Sequence, residues 1–186
     1  QKGQQMTNYW KDYFDNVSPT WMENWYEKLK GLTIPSVYFR LTKDETKEIL
    51  KLIDGEADDY IISKLKDKLI KLFSLLDGDK MFVRLGSRSP KDNPNEIRSA
   101  NDVLASFGDS ARIFEDLTLC NMIDYLPYVF VREWVEIPKS REFRCFVKNK
   151  QLRGISQYYY REKYYYLDNS YNRELIKSQA EGMLED

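Results

Sequence analysis

The sequence predicts an α/β fold of the α+β kind, with antiparallel sheets and flanking helices. Two patterns point to it: helix caps and helical spacing dominate up to about residue 121, and apolar-polar alternation takes over from Pro127. A hydrophobic share of 42% over 186 residues supplies a globular core, and this length fits one ordinary domain or two small lobes.

The elements follow from local chemistry. Thr20-x-x-Glu23 reads as a capping box opening an aromatic helix from Trp21 to Leu29, closed by Gly31. A short strand over Ile34 to Leu41 precedes a second box, Thr42-x-x-Glu45, whose helix runs to about Ile53 and stops at Asp54-Gly55. Ile61, Leu65, Leu69, Leu72 and Leu76 recur at helical spacing and predict an amphipathic helix ending at Asp77-Gly78-Asp79. Met81 to Leu85 reads as a strand that enters a loop from Gly86 to Pro94, too rich in turn formers to be helical. Helices are expected near 99–107 and 109–121, parted by Gly108. Strands follow over Tyr128 to Ile137, Glu142 to Val147 and Leu152 to Gln157, with Asn149 in a tight turn. A short strand around Tyr164 to Leu167 and a helix over about 171–184 complete the reading.

Composition removes several chemistries. The chain has no histidine, so no Ser-His or Cys-His pair, His-ligated metal or imidazole base is available. Acid-base and phosphate chemistry must rest on carboxylates, Lys, Arg and Tyr. Cys120 and Cys145 stand singly and read as reduced thiols of a cytoplasmic protein. No run of 18 apolar residues suggests a membrane span, and Gln1 to Gln5 carry neither an initiator Met nor the apolar core of a signal peptide, as expected of a trimmed chain. Lys51-Leu52-Ile53-Asp54-Gly55 has one residue too many for the Lys-x-Asp-Gly of adenylating ligases.

The net charge of -1 hides a division along the chain. Residues 80–98 carry five cations against two acids, 99–131 one cation against five acids, and 132–153 seven cations against three acids. Two basic islands separated by an acidic stretch suit a folded anion site, whereas a nucleic-acid arm would be one contiguous run. Solvated faces are the plain alternative.

Three constellations could carry chemistry. Arg84, Ser87, Arg88, Ser89 and Lys91, around Gly86, offer the cations, hydroxyls and backbone N–H groups that a polyphosphate needs, although the P-loop spacing is absent. On a strand, Glu142, Arg144 and Phe146 share one face, with Phe143, Cys145 and Val147 on the other. The Glu142/Arg144 pair is then a salt bridge or an arginine aimed at phosphate. The run Tyr158 to Tyr166, with Arg161 and Lys163 inside it, has the letters of a base-stacking surface. Alternating tyrosines on an amphipathic strand pair explain it more simply, so nucleic acid is not expected as a partner. Trp10, Trp21, Trp25 and Trp134 read as core or interface anchors.

Phe82-Val83-Arg84-Leu85 with Ser89-Pro90-Lys91-Asp92, Val131-Arg132-Glu133-Trp134-Val135-Glu136-Ile137-Pro138, Glu142-Phe143-Arg144-Cys145-Phe146-Val147 and Gly154-Ile155-Ser156-Gln157 together resemble the cell division cycle protein 123 family. The resemblance is specific over 80–160 and loose over 1–79. It implies an ATP-grasp-like fold whose two lobes clasp ATP and Mg²⁺, here divided as a mainly helical lobe over 1–79 and a nucleotide-binding lobe over 80–186. It implies an assembly factor that binds the gamma subunit of translation initiation factor 2. By the same resemblance Arg84 stands where the family usually has a phosphate-binding lysine and Lys91 at a basic position of the phosphate loop. Arg132, Trp134, Val135 and Glu136 fall on the hinge strand that meets adenine and ribose, and Arg144 falls at the phosphate-facing arginine. The family's Mg²⁺ ligands belong to an Asp-x-Asn-Pro-like segment that does not occur before Asp186. Two alternatives stand beside this reading: an ATP-grasp ligase that activates a carboxylate as an acyl phosphate, and a nucleotide-free interaction module.

Overall fold

The computed structural model describes residues 2–91 and 96–184. The chain divides into two units, Gln1–Trp134 and Val135–Asp186. The boundary expected at residue 79 falls inside the first of them, because the strand after it pairs with a strand near the unit's end.

The first unit opens with a helix that the residue pattern did not announce, α1 (Lys2–Val17). α2 (Met22–Leu29) follows. Its expected capping box does not form: the Thr20 hydroxyl donates to Val17 O (2.7 Å), Trp21 is the uncapped N-cap, and Glu23 turns to another partner. Gly31 lies within a 3-10 turn, Lys30–Leu32, rather than capping the helix. β1 spans Ser36–Arg40. The second box is formed in both directions, with Thr42 N–H donating to Glu45 Oε2 (2.8 Å) and Glu45 N–H to Thr42 Oγ1 (3.2 Å), and it starts α3 (Lys43–Lys51). Gly55, at φ 69°, ends the 3-10 turn after α3, a left-handed position that glycine takes without steric cost. α4 (Asp59–Phe73), β2 (Met81–Leu85), α5 (Ala100–Gly108), α6 (Ala111–Met122) and β3 (Tyr128–Glu133) complete the unit. Asp92 to Pro94, expected in the loop after β2, lie outside the described residues.

The strands form an antiparallel sheet of order β1-β3-β2. One face places Val37, Phe39, Val83, Leu85, Val129 and Val131 against Leu65 and Leu69 of α4, Val103 and Phe107 of α5 and Ile113 and Leu117 of α6, as the main core. The register pairs Ser36 and Phe82 with Arg132, and Tyr38 and Arg84 with Phe130, so these residues share the opposite face. On that face Met22 and Tyr26 of α2 pack on Phe130, leaving the two arginines at the margin of an aromatic patch.

In the second unit, β4 (Phe143–Lys148) and β5 (Gln151–Gln157) form a hairpin, and α7 (Ser170–Gly182) follows. Asn149 and Lys150 close the hairpin with φ of 53° and 58°. The strand expected at Tyr164 to Leu167 is a 3-10 turn, Tyr165–Asp168, and Tyr158 to Tyr160 form a turn rather than part of a strand pair. The strand expected to run on to Ile137 stops at Glu133. Among the described residues no helix is long and apolar enough to cross a membrane, and both cysteines are free.

Candidate functional site

The loop after β2 is organised by Arg84. Its Nε donates to Leu85 O (2.9 Å), and its Nη2 donates to Ser87 O (3.0 Å) and Gly86 O (3.4 Å). The side chain thus curls past its own strand end and gathers three loop carbonyls. Leu85 N–H donates to Arg88 O (3.0 Å), Gly86 N–H to Tyr128 O (2.9 Å) and Met22 N–H to Gly86 O (2.9 Å), so the loop is tied to β3 and to α2.

Arg84 and Arg132 lie two positions apart across the β2/β3 ladder on one face. Arg132 donates to Ser36 Oγ (3.1 Å) and Thr33 Oγ1 (2.8 Å), both neutral acceptors. Among the described residues neither arginine forms an ion pair with a carboxylate. Burial, then repulsion from Arg132, pull the Arg84 guanidinium down to about 10, and burial also lowers Arg132. Two desolvated guanidiniums that meet mainly neutral oxygens form a locus that an anion would relieve.

The other expected phosphate-loop residues are engaged differently. Ser87 Oγ donates to Asp116 Oδ2 (2.5 Å), while Arg88 donates through Nε and Nη2 to Asp116 Oδ1 (2.9 and 2.6 Å) and through Nη2 to Glu115 (2.9 Å). These pairs raise the Arg88 guanidinium above its ordinary range. Ser87 and Arg88 therefore anchor the loop to α6 rather than face an open anion cradle. Ser89 is half-buried beside buried Pro90, and Lys91 is exposed. Trp134 is half-buried; its backbone N–H donates to Lys80 O (3.2 Å), while its indole N–H is buried without an acceptor among the described residues.

Val135, Glu136 and Arg144 belong to the second unit, all exposed. The expected sharing of a face is seen for Arg144 and Phe146, opposite Ser156 and Gly154, while Glu142 lies ahead of β4 and Lys148 stands opposite Gln151. Arg144 does not pair with Glu142; its guanidinium lies over the Tyr158 ring, 5.0 Å from the centroid.

Three residues that the sequence does not tie to this loop hold the region together. Asp116 is nearly buried and joins α6 to the loop. The spacing Ile113, Leu117, Cys120 already puts position 116 on the buried side of α6, so an aspartate there was a readable signal. Glu23 and Tyr125 are the others: Tyr125 OH donates to Glu23 Oε1 (2.8 Å), and Glu23 Oε2 is buried without a partner among the described residues. Burial raises the Glu23 carboxyl, while Tyr125, Arg84 and Arg40 oppose that rise. Burial also pushes the Cys120 thiol up to about 12, which keeps it a protonated core group. Among the described residues no group of three carboxylates or thiols is placed to hold a metal ion. The described residues do not by themselves fit Mg²⁺, which calls for several oxygen ligands, whereas Arg84 and Arg132 supply the charge that an anion such as phosphate calls for.

Comparison with known proteins follows the same line. A family profile described as D123 matches residues 43–186. "Cell division cycle protein 123" of Yarrowia lipolytica is 31% identical over 126 residues, covering 61% of this chain and 33% of that protein. A protein of Dictyostelium discoideum named "Translation initiation factor eIF2 assembly protein" is 36% identical over 108 residues, covering 50% of this chain and 28% of its own length. The chain thus spans about a third of these relatives. Among solved structures, Cdc123 from Schizosaccharomyces pombe superposes with a TM-score of 0.72 at 22% identity, covering 92% of this chain and 74% of that one. Its mixed arrangement of helices and antiparallel sheets is the fold found here.

Proposed function

Since the chain belongs to the D123 family, we propose that it is the ATP-binding part of an assembly factor for translation initiation factor 2 that engages the gamma subunit in the cytoplasm. The names of the relatives, eIF2 assembly proteins, motivate the partner. The observation that carries the nucleotide is the Arg84/Arg132 pair, two desolvated cations on one sheet face without a carboxylate partner among the described residues. A bound triphosphate would supply the missing charge there and would be held by charge-assisted hydrogen bonds, each worth about 1.5–3 kcal/mol. In this reading Arg84 orders the loop and offers its remaining N–H groups, and Arg132 adds a second charge on the same sheet face of the first unit, with Lys91 and Trp134 as the further residues of that unit that the family resemblance assigns to nucleotide. ATP acts as a ligand that favours the assembly-competent shape.

Calorimetric titration with ATP tests the reading. The chain should bind, and Arg84→Ala and Arg132→Ala should each weaken binding by tenfold or more while leaving circular dichroism unchanged. A purified gamma subunit of translation initiation factor 2 should be retained by the immobilised chain. No heat with ATP and no retention of the gamma subunit would overturn it.

A further inference from the structure

The surface of the second unit carries an alternation of cations and rings that the nucleotide reading does not use. Residues 139–163 contain eight Lys and Arg against two Glu, and all eight cations are exposed. Lys139 meets Glu162 (3.3 Å) and Lys163 meets Asp168 (3.6 Å); among the described residues the other six form no ion pair. The positive charge is therefore largely uncompensated at the surface.

The rings lie among these charges. On the open face of the hairpin, Phe146 stands between Arg144 and Lys148 and is 51% exposed. Its cross-strand neighbour is Gly154, where an added Cβ would lie 3.8 Å from the phenyl ring, so no side chain covers it from β5. Beyond Arg144 the series continues through the Tyr158 ring beneath its guanidinium, Tyr159 in edge contact with Tyr158 (5.2 Å between centroids) and Lys139 over Tyr159 (5.1 Å). The turn adds Tyr160 and Tyr165, each 75% exposed, with Arg161 and Lys163 over them. The strand pairing that would explain these tyrosines as a sheet face is absent, since they occupy turns.

We propose that this stripe, running Lys148, Phe146, Arg144, Tyr158, Tyr159, Lys139, binds a single-stranded nucleic acid. Phosphates would meet the cations, and unpaired bases would stack on Phe146 and the tyrosines, an arrangement that tolerates any base because each has a π-face. From Lys148 to Arg144 alone the strand covers about 13 Å at roughly 3.3 Å per residue, so the stripe outruns a single nucleotide and suits a strand of several. An acidic protein segment would match the charge but would gain less from the exposed ring of Phe146 and the half-buried rings of Tyr158 and Tyr159 set among the cations. The charge and the rings together therefore favour a polynucleotide. The proposal is independent of the ATP reading except at Arg144, so its variants are made elsewhere.

The test is fluorescence anisotropy of a labelled 12-residue oligouridylate or oligothymidylate with the full chain. Binding of either at 50 mM salt, weakening about tenfold by 200 mM salt, is expected from release of counterions. Phe146→Ala with Tyr159→Ala should weaken binding tenfold or more. Lys148→Glu with Lys150→Glu, at the exposed end of the hairpin, should do the same, so the result does not depend on one variant folding. The proposal is overturned if neither oligonucleotide binds at 50 mM salt, if polyglutamate or inorganic polyphosphate of equal charge binds as well as the oligonucleotides, or if the ring variant binds unchanged. Because the probes contain no ATP, a failed ATP titration leaves these outcomes readable.

Discussion

The carboxylate of Glu23 rests on the α-carbon of Gly86: a Cβ at position 86 would lie 1.6 Å from Glu23 Oε2. The loop after β2 can approach α2 only because position 86 has no side chain. Gly86→Ala must push the carboxylate aside and break the Tyr125 hydrogen bond to it. The expected cost is about 1–3 kcal/mol, a lost bond to a charged group. Glu23→Ala removes the obstacle, so the double substitution should cost less than the sum of the two single ones. Urea denaturation followed by tryptophan fluorescence measures the three values, and strict additivity would mean that the contact carries no energy.

Glu23 also sets a pH dependence. Its carboxyl is raised above 4.5 chiefly by burial, so between 4.5 and its folded value the native state holds more proton than the unfolded chain. Stability at this site therefore falls as pH rises through that window. Glu48, Glu96, Asp102 and Asp124 are lowered, largely by hydrogen bonds, and give the opposite sign: their contributions are lost as pH falls through the acidic range. The wild type alone shows the sum. Subtracting the curve of Glu23→Gln from that of the wild type should leave a component that declines from pH 4.5 upward, whereas a flat difference would place the Glu23 carboxylate in contact with water.

Asp116 joins two partners, Ser87 and Arg88, and its loss should be felt through both. Asp116→Asn keeps one oxygen but withdraws the charge that Arg88 and Ser87 meet. Arg88 is partly exposed and keeps Glu115, which limits the penalty to about 1–3 kcal/mol. Arg88→Ala should cost at least as much, because the nearly buried carboxylate of Asp116 then loses its cation. Thermal unfolding of the two variants checks the order.

Much of this arrangement was readable from residue order, and the exceptions share a cause. Thr42-x-x-Glu45 and Thr20-x-x-Glu23 are the same motif, yet only the first forms a reciprocal cap, because Glu23 is drawn to Tyr125, 102 residues away. Arg84, Ser87 and Arg88 were visible as one cationic loop. What separates them is Asp116 on α6, whose role depends on helix packing that no local pattern records. The tyrosine run misled for the converse reason: its letters fit a strand, but at its start Tyr158 N–H bonds the Glu142 carbonyl and the chain turns. α1 left no cap signal, since its first turn carries no acid and its last no base.

The hairpin turn offers a stabilising change. Asn149 and Lys150 both lie in the left-handed region, where a lysine pays a steric cost that glycine avoids. Lys150→Gly should stabilise the hairpin by about 1 kcal/mol, seen as slower hydrogen exchange of the amides of β4 and β5. Unchanged exchange would mean that the turn is not where the hairpin opens.

Arg84→Lys is the sharpest test of what this arginine does. The charge survives, but a single ammonium cannot reproduce the fork that gathers the carbonyls of Leu85, Gly86 and Ser87. If Arg84 acts only as a charge toward phosphate, the lysine variant should bind ATP nearly as the wild type does, while Arg84→Met loses binding. If it also orders the loop, Arg84→Lys should fall between the two, and the amides of residues 85–88 should exchange faster even without nucleotide. The three direct bonds make the intermediate outcome the expected one. Lysine binding equal to the wild type with unchanged exchange would reduce Arg84 to a point charge and leave the loop's order to Asp116 and Gly86.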